Sequence, residues 1–463
     1  MRLLVCLFLS CISTFCFSQS IETLRETGAP LIIITTTDSV MPQADVALPP
    51  NSNWPKTITN NNYVTGSKIM LSNSDTLYAS GPYVKDLSGM KIKRRGNSTG
   101  LYLDQHPYKL KLTKKKDLLF RNNPADDHKE WLLLSLYTWN TMMTEKESNI
   151  INMTGTTISQ CLEKEWTPEY IFVHLILNGQ YQGMYYLMEA VARGENRINI
   201  SKEGFIIEDD TFFWNENIYT HTDQQPDNTA WTFKYPDDKD ISSNEIDFIN
   251  TTITTFEQAL HRQEDISTLI DIESWAKWIL IHDILGTDDA LGCNKFYSIY
   301  NQTDNTIIKT GPIWDYDSSF RTKIGWSYQH HYGYSQKLFQ RTDFVNAYLR
   351  LWNNIKPSLY HNYISRMEKL RQRFEYIFDE SVKQHQKVYP NEGRKFSSQY
   401  DEINSLVAQR INILTQQIDN LTNSIYDIPQ SQQPTSIYNL NGQRVDKPSP
   451  GLYIHNGCKF IVK

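Results

Sequence analysis

Three stretches of this 463-residue chain bring together side chains able to do polar chemistry at close quarters. Asp288-Asp289-Ala290-Leu291-Gly292-Cys293-Asn294 sets a carboxylate and a carboxamide on one short loop. Gly311-Pro312-Ile313-Trp314-Asp315-Tyr316-Asp317 ends an apolar approach in two carboxylates. Arg94-Arg95-Gly96 and Tyr108-Lys109-Leu110-Lys111 place cations among strand-forming residues. Together these are the parts that phosphoryl transfer requires: a carboxylate to orient a hydroxyl, oxygen ligands for one or two Mg²⁺, and cations for the phosphates.

Asp289 with Asn294 four intervening residues on has the spacing of a kinase catalytic loop, in which the Asp addresses the hydroxyl and the Asn binds metal. The alternative for that spacing is a helix cap followed by a solvated loop. In an extended segment Asp315 and Asp317 share a face, where a hard cation such as Mg²⁺ would relieve their repulsion. The alternative for Asp317 is to cap the next turn. Lys109 and Lys111, two apart on a strand, face one side and either could meet a phosphate; a solvated strand face is the alternative. Glu145 or Glu147 is a possible partner for that lysine, against a plain surface charge. The 11 histidines form no ligand set, and neither a nucleophile elbow nor a Walker-type loop is present.

The elements that must hold these residues change character along the chain. Between 30 and 200, segments 31–36, 90–96, 107–112, 170–179 and 181–189 are rich in β-branched and aromatic residues, and Asn178-Gly179 signals a hairpin. Apolar spacing over 127–152 predicts a helix. Beyond about 240, apolar stripes predict helices over 242–262, 271–286, 342–378 and 397–421, with Asp271 as an N-cap, Gly286 as a stop, and Pro357 breaking or kinking the third. The class is α+β.

The composition is globular, 40% hydrophobic with 27 Tyr and 11 Trp, and the net charge of −6 gives no basic surface for nucleic acid. Arg2, the apolar run from Leu3 to Phe17, and the small residues Cys16 and Ser18 read as a signal peptide over 1–18. No later stretch is long and apolar enough for a transmembrane helix. Cys161, Cys293 and Cys458 have no metal-ligand spacing and read as idle thiols. After a polar linker (426–436), residues 437–463 form a small β module with hairpin turns at Asn441-Gly442 and Asn456-Gly457. That tail resembles the sorting domains of proteins exported by the type nine secretion system of Bacteroidetes.

In order, IKRRGNSTG, PYKLKL, DHKEWLLLSLY, VHLILNGQYQGMYYLMEAV, NRINIS, GFIIEDD, FKYPDD, DIESWAKWILIHDILGTDDALGCNKFYSIY and GPIWDYDSSF resemble the CotH family of atypical protein kinases, over roughly residues 85 to 425. The resemblance implies a kinase-like bilobal fold, with a strand-rich N-terminal lobe (30–200) and a helical C-terminal lobe (201–425). It implies ATP with Mg²⁺ or Mn²⁺ as cofactors and a protein Ser/Thr as acceptor. It assigns Asp289 as catalytic, Asn294 and Asp315 as metal ligands with Asp317 closing the W-D-x-D element, and Lys109 and Glu189 to positions near the nucleotide; Lys111 and Arg95, cations on the same strand pair, are expected to join them there. Thr287 stands where the family usually has Asn, and Thr99-Gly100-Leu101-Tyr102 replaces a commoner Trp-rich continuation. The chain is thus expected to be a secreted or cell-surface kinase, its tail engaging outer-surface export machinery. The rival expectations are a catalytically inactive surface or adhesion protein on the same shell, and a metal-dependent phosphoesterase or glycan-processing enzyme.

Overall fold

The computed structural model describes residues 21–463 apart from 52, 73–74, 137–148, 226–227, 288–293, 303–304, 321–332, 427–436, 440–442, 446–450, 456–457 and 463. Asp289, Glu145, Glu147 and Cys293 therefore lie outside the described residues, as does the proposed signal peptide. Two compact units divide at Ile411 and Asn412.

The first unit opens with a sheet of eight strands. In chain order its members are β1 (Leu31–Thr36), β4 (Val64–Leu71), β5 (Thr76–Ala79), β6 (Met90–Arg94), β7 (Tyr108–Lys116), β8 (His128–Ser135), β9 (Tyr170–Leu177) and β10 (Gln180–Glu189), with the short pair β2 (Val46–Ala47) and β3 (Thr57–Ile58) apart from it. The spatial order is β1-β9-β10-β8-β7-β6-β4-β5, and β1 also pairs with β4, so seven of the strands close on themselves. Closure removes most of the exposed edge and creates an interior. Alternate residues fill it: Ile32 and Ile34, Met90 and Ile92, Leu110 and Leu112, Trp131 and Leu133, Val173 and Leu175. The intervening residues of β6, β7 and β8, including Lys93, Lys109, Lys111 and Glu130, are thereby turned outward. The turn between β9 and β10 is made by Asn178 and Gly179, both at positive φ, as the dipeptide predicts.

Where a helix is expected over 127–152, the described residues instead form β8 at its start; 137–148 lie outside the described residues, and α2 (Ile151–Cys161), which follows α1 (Ser98–Tyr102) in the chain, begins at its end. A run such as Trp131-Leu132-Leu133-Leu134 suits a strand covered on both faces as well as a helix, and periodicity cannot separate the two.

The chain beyond 201 is not helical throughout. It holds a second sheet, of order β12-β13-β11-β14-β15, built from β11 (Phe205–Asp210), β12 (Tyr219–Thr220), β13 (Ala230–Tyr235), β14 (Lys295–Gln302) and β15 (Asn305–Thr310). Around it come α3 (Ser243–His261), α4 (Ile272–Leu285), α5 (Gly333–Leu338), α6 (Thr342–His385) and α7 (Phe396–Tyr426). α3 begins in a capping box between Ser242 and Glu245. α4 starts at Asp271, whose side chain accepts from Ser274 N, and stops at Gly286 in the left-handed conformation. α6 runs through Pro357 as one helix rather than breaking there. Its Phe374 and Phe378 pack on Phe172 of β9, at ring-centroid distances of 5.2 and 5.0 Å, which explains why β9 is buried on both faces.

The second unit carries the end of α7 and a four-stranded antiparallel sheet of order β17-β16-β18-β19, from β16 (Ile437–Asn439), β17 (Arg444–Val445), β18 (Gly451–His455) and β19 (Cys458–Val462). Among the described residues, no helix is long and apolar enough to cross a membrane.

Candidate active site

The outward faces of β6, β7 and β8 and one face of the second sheet line a cleft of about 330 Å³. Lys109 and Lys111 enter it from β7 on the same side, as alternation requires. Strand register sets Glu130 of β8 directly opposite Lys111 and one step diagonal to Lys109. Its carboxylate meets Lys109 Nζ at 2.9 Å and Lys111 Nζ at 3.4 Å. Burial pushes the Glu130 carboxyl up, but the two ammonium groups outweigh it and hold it at about 2. Lys93 of β6 stands beside them, 5.0 Å from the Tyr63 ring, and burial with the nearby Lys109 charge lowers it to about 8.

The second sheet contributes a carboxylate pair. Glu208 and Asp210 of β11 both line the cleft, with Lys234 of β13 at 2.8 Å from Glu208 and 3.9 Å from Asp210. Burial raises Glu208 to about 7, with Lys234 opposing and Asp210 adding to the shift. Asp210 is raised too, chiefly by burial. Phe212, Phe233, Phe296 and Trp314, with Leu132, Ala190 and Val191, supply an apolar side to the same cleft.

Arg95 and Trp314 are shared between this cleft and a small adjoining cavity of about 50 Å³ that holds Asp315 and Asp317. Burial works against the Arg95 charge, and the Asp315 and Glu208 carboxylates offset it. The segment is not extended through Asp315, which has φ 58°, in the left-handed region. The two carboxylates share a cavity because the chain turns at Asp315, not because of strand alternation. Tyr316 between them is buried against Gly155 of α2. Asn294, just before β14, also has a positive φ of 61° and brings its amide Nδ2 to 3.4 Å from Asp315 Oδ2. Two non-glycine residues in that conformation, facing one another, are the pattern expected where local strain serves a site.

The loop carrying Asp289 is entered from Thr287, which is buried and hydrogen-bonded through its hydroxyl to Ser318. Phe320 N also donates to Leu285 O at 2.8 Å. The end of α4 is thus tied to the turn after Asp315.

Glu189 takes no part in the cleft lining. It is 1% exposed and accepts from Arg121 at 2.9 Å and from Glu169 N at 3.0 Å, with Arg197 at 3.6 Å. It holds together a buried ion cluster, and the glutamate beside the lysines is Glu130. Sequence reasoning missed Glu130, Glu208, Asp210 and Lys234. The last three sit in GFIIEDD and FKYPDD, where charged residues directly follow strand-forming apolar ones, a usable signal. Glu130 needed the β7–β8 register.

Among the described residues, no group of three or more His, Cys, Asp or Glu side chains is placed to hold a metal ion. Asn294 with Asp315 is the donor set the site offers, and Mg²⁺ commonly takes one or two carboxylates with the remaining positions filled by phosphate and water.

The CotH kinase protein family model matches residues 92–425. The chain belongs to the CotH kinase family. Every cleft residue from Lys93 to Trp314 falls in the matched span, and so do Asp315 and Asp317. The CotH match opens within β6, so β1 and β4, which close the sheet, precede it. A search of curated proteins returns no match.

Proposed function

We propose that this CotH-family chain is an exported kinase that moves the γ-phosphoryl group of ATP to a Ser or Thr hydroxyl of a protein. The observation that carries the reading is the contact of Asn294 with Asp315 beside a cleft whose lysines are held by Glu130. Family membership supports kinase-like chemistry.

Each residue has a role in that reaction. Lys109 meets phosphate oxygens as a point charge, and Glu130 fixes where that charge stands. Lys111 and Arg95 add positive potential along the phosphate path. The apolar side of the cleft takes the base. Asn294 and Asp315 would hold Mg²⁺ or Mn²⁺, with Asp317 in the same cavity; when bound, the ion neutralises charge on the β- and γ-phosphates. Asp289 orients the acceptor hydroxyl and takes its proton as the oxygen attacks phosphorus. The bond to the β–γ bridging oxygen breaks and ADP departs. Most of the rate comes from positioning and electrostatics. Residues 1–18 and 437–463 would direct the chain to the cell surface.

The test is transfer of label from γ-labelled ATP to candidate surface proteins with Mg²⁺ or Mn²⁺. Transfer should be lost in Asp289→Ala and Asp315→Ala. Transfer that persists unchanged in both variants overturns the assignment, and phosphate release without any acceptor protein would mark a phosphoesterase instead.

A further inference from the structure

The second sheet separates two cavities. Along β11, Glu208 and Asp210 face the cleft while Asp209 faces the opposite side. Along β14, Phe296 faces the cleft while Lys295 and Tyr297 face away. On that reverse face, among α3, α4 and α5, lies a cavity of about 230 Å³.

Its walls are aromatic. Trp275, Trp278 and Tyr297 are each at most 5% exposed, and Trp275 lies with its ring 5.4 Å from Tyr297 and 5.8 Å from Tyr334. Its acids are treated unequally. Asp209 is neutralised by Lys295 and accepts from Gln225 Nε2 at 2.9 Å. Glu257 is 2% exposed, and among the described residues no cation lies within ion-pair distance of it. Its Oε1 accepts from Thr222 Oγ1 at 2.8 Å and from the Tyr334 hydroxyl; its Oε2 is buried and, among the described residues, accepts from nothing. Burial raises the Glu257 pKa, as an uncompensated carboxylate requires. The other cation on the cavity, Lys337, is engaged at 2.8 Å with His261 Nδ1.

A buried carboxylate with an unpartnered oxygen calls for a donor, and a charged one best offsets its desolvation. Aromatic faces favour an organic cation over a hydrated one. A divalent metal would find too few oxygens here. A neutral polyol would leave the charge of Glu257 uncompensated.

We propose that this reverse-face cavity is a binding site for a small organic cation, an ammonium or guanidinium head that donates to Glu257 Oε2 between the Trp275, Trp278 and Tyr334 rings. The site stands independently of the phosphate chemistry proposed for the cleft. Its ligand head is either free in solution or the end of a basic side chain.

The experiment titrates the full chain with methylguanidinium chloride and with n-butylammonium chloride at fixed ionic strength, read by tryptophan fluorescence and calorimetry. NaCl and n-butanol serve as controls. Saturable binding of a cation is expected, weaker by about tenfold or more for n-butanol and for Glu257→Gln. Gln retains an acceptor for Thr222 and Tyr334, so this variant should fold, which circular dichroism checks. Trp278→Leu removes a ring without touching charge and should also weaken binding; it decides the matter if Glu257→Gln does not fold. A short blocked peptide carrying one Arg separates the sources. Binding as tight as methylguanidinium assigns a protein side chain as occupant, and binding of the free cations alone assigns a small molecule. Absence of saturation by either cation, or equal affinity in Glu257→Gln and the unaltered chain, overturns the proposal.

Discussion

Replacing Glu130 by Gln should weaken the fold by an amount that depends on pH in a defined direction. The carboxylate lies 2.9 Å from Lys109 Nζ and 3.4 Å from Lys111 Nζ, and its pKa is held at about 2 against an ordinary 4.5. At ~1.4 kcal/mol per pKa unit, that shift corresponds to about 3 kcal/mol. The Lys111 side chain is 42% exposed, so solvent screens its share, and a loss of about 2 kcal/mol is the better expectation. A carboxylate with a depressed folded pKa contributes stability that is fully present above its unfolded pKa. That contribution disappears as pH falls from about 4.5 towards about 2. His128, lowered from 6.5 to about 4 chiefly by burial, titrates within the pH range to be scanned, so the comparison belongs in a His128→Gln background. Urea unfolding at several pH values between 7 and 3 would measure it. The background protein and its Glu130→Gln derivative should differ by about 2 kcal/mol at neutral pH, and the difference should narrow steadily below pH 4.5. A difference near zero at pH 7, or one that does not change with pH, would refute the claim that two lysines depend on this carboxylate.

Two further predictions concern the same region. A Cβ on Gly155 would overlap the Tyr316 ring, so Gly155→Ala must displace the residue that joins Asp315 to Asp317. A loss of about 1–3 kcal/mol is expected, together with weaker metal-dependent nucleotide binding, read by thermal melting and calorimetry; a variant that melts like the original contradicts this. Glu208 behaves oppositely to Glu130: burial raises its folded pKa from 4.5 to about 7, so its contribution is full below about 4.5 and is lost as pH rises through 7. Glu208→Gln should flatten the fall of Tm between pH 5 and 7, and an unchanged slope would count against the buried-carboxylate account.

The features that sequence shows well are those fixed by local chemistry. Asp271 and Gly286 bound α4 because a side-chain acceptor and a left-handed stop are local devices, and Asn178-Gly179 turns the β9–β10 hairpin for the same reason. Lys109 and Lys111 could be set on one face from spacing alone. What failed depended on the rest of the chain. The apolar run of β8 is buried on one side by the sheet interior and touches the cleft through Leu132 on the other, so it carries no period to read. β14 and β15 are fixed by pairing, β14 with the distant β11 and β15 with β14, which no local pattern of their own shows. Spacing predicts Asp315 and Asp317 on one face of an extended backbone, whereas a left-handed turn at Asp315 brings them into one cavity. Glu189 was assigned to the nucleotide by resemblance, and the structure engages it with Arg121 and Arg197. Glu130 enters the site only through the pairing of β7 with β8, which no local pattern announces.

The most direct measurement of the central claim is ATP affinity by calorimetry, with Mg²⁺ or with chelator, for the unaltered chain and for Asp315→Asn and Asn294→Ala. The account predicts binding that strengthens at least about tenfold with the ion in the unaltered chain, and loses that gain in both variants while each keeps its melting temperature. Affinity that ignores the ion, or a gain that survives removal of either side chain, would contradict the claim that Asn294 and Asp315 together hold a divalent ion against the nucleotide.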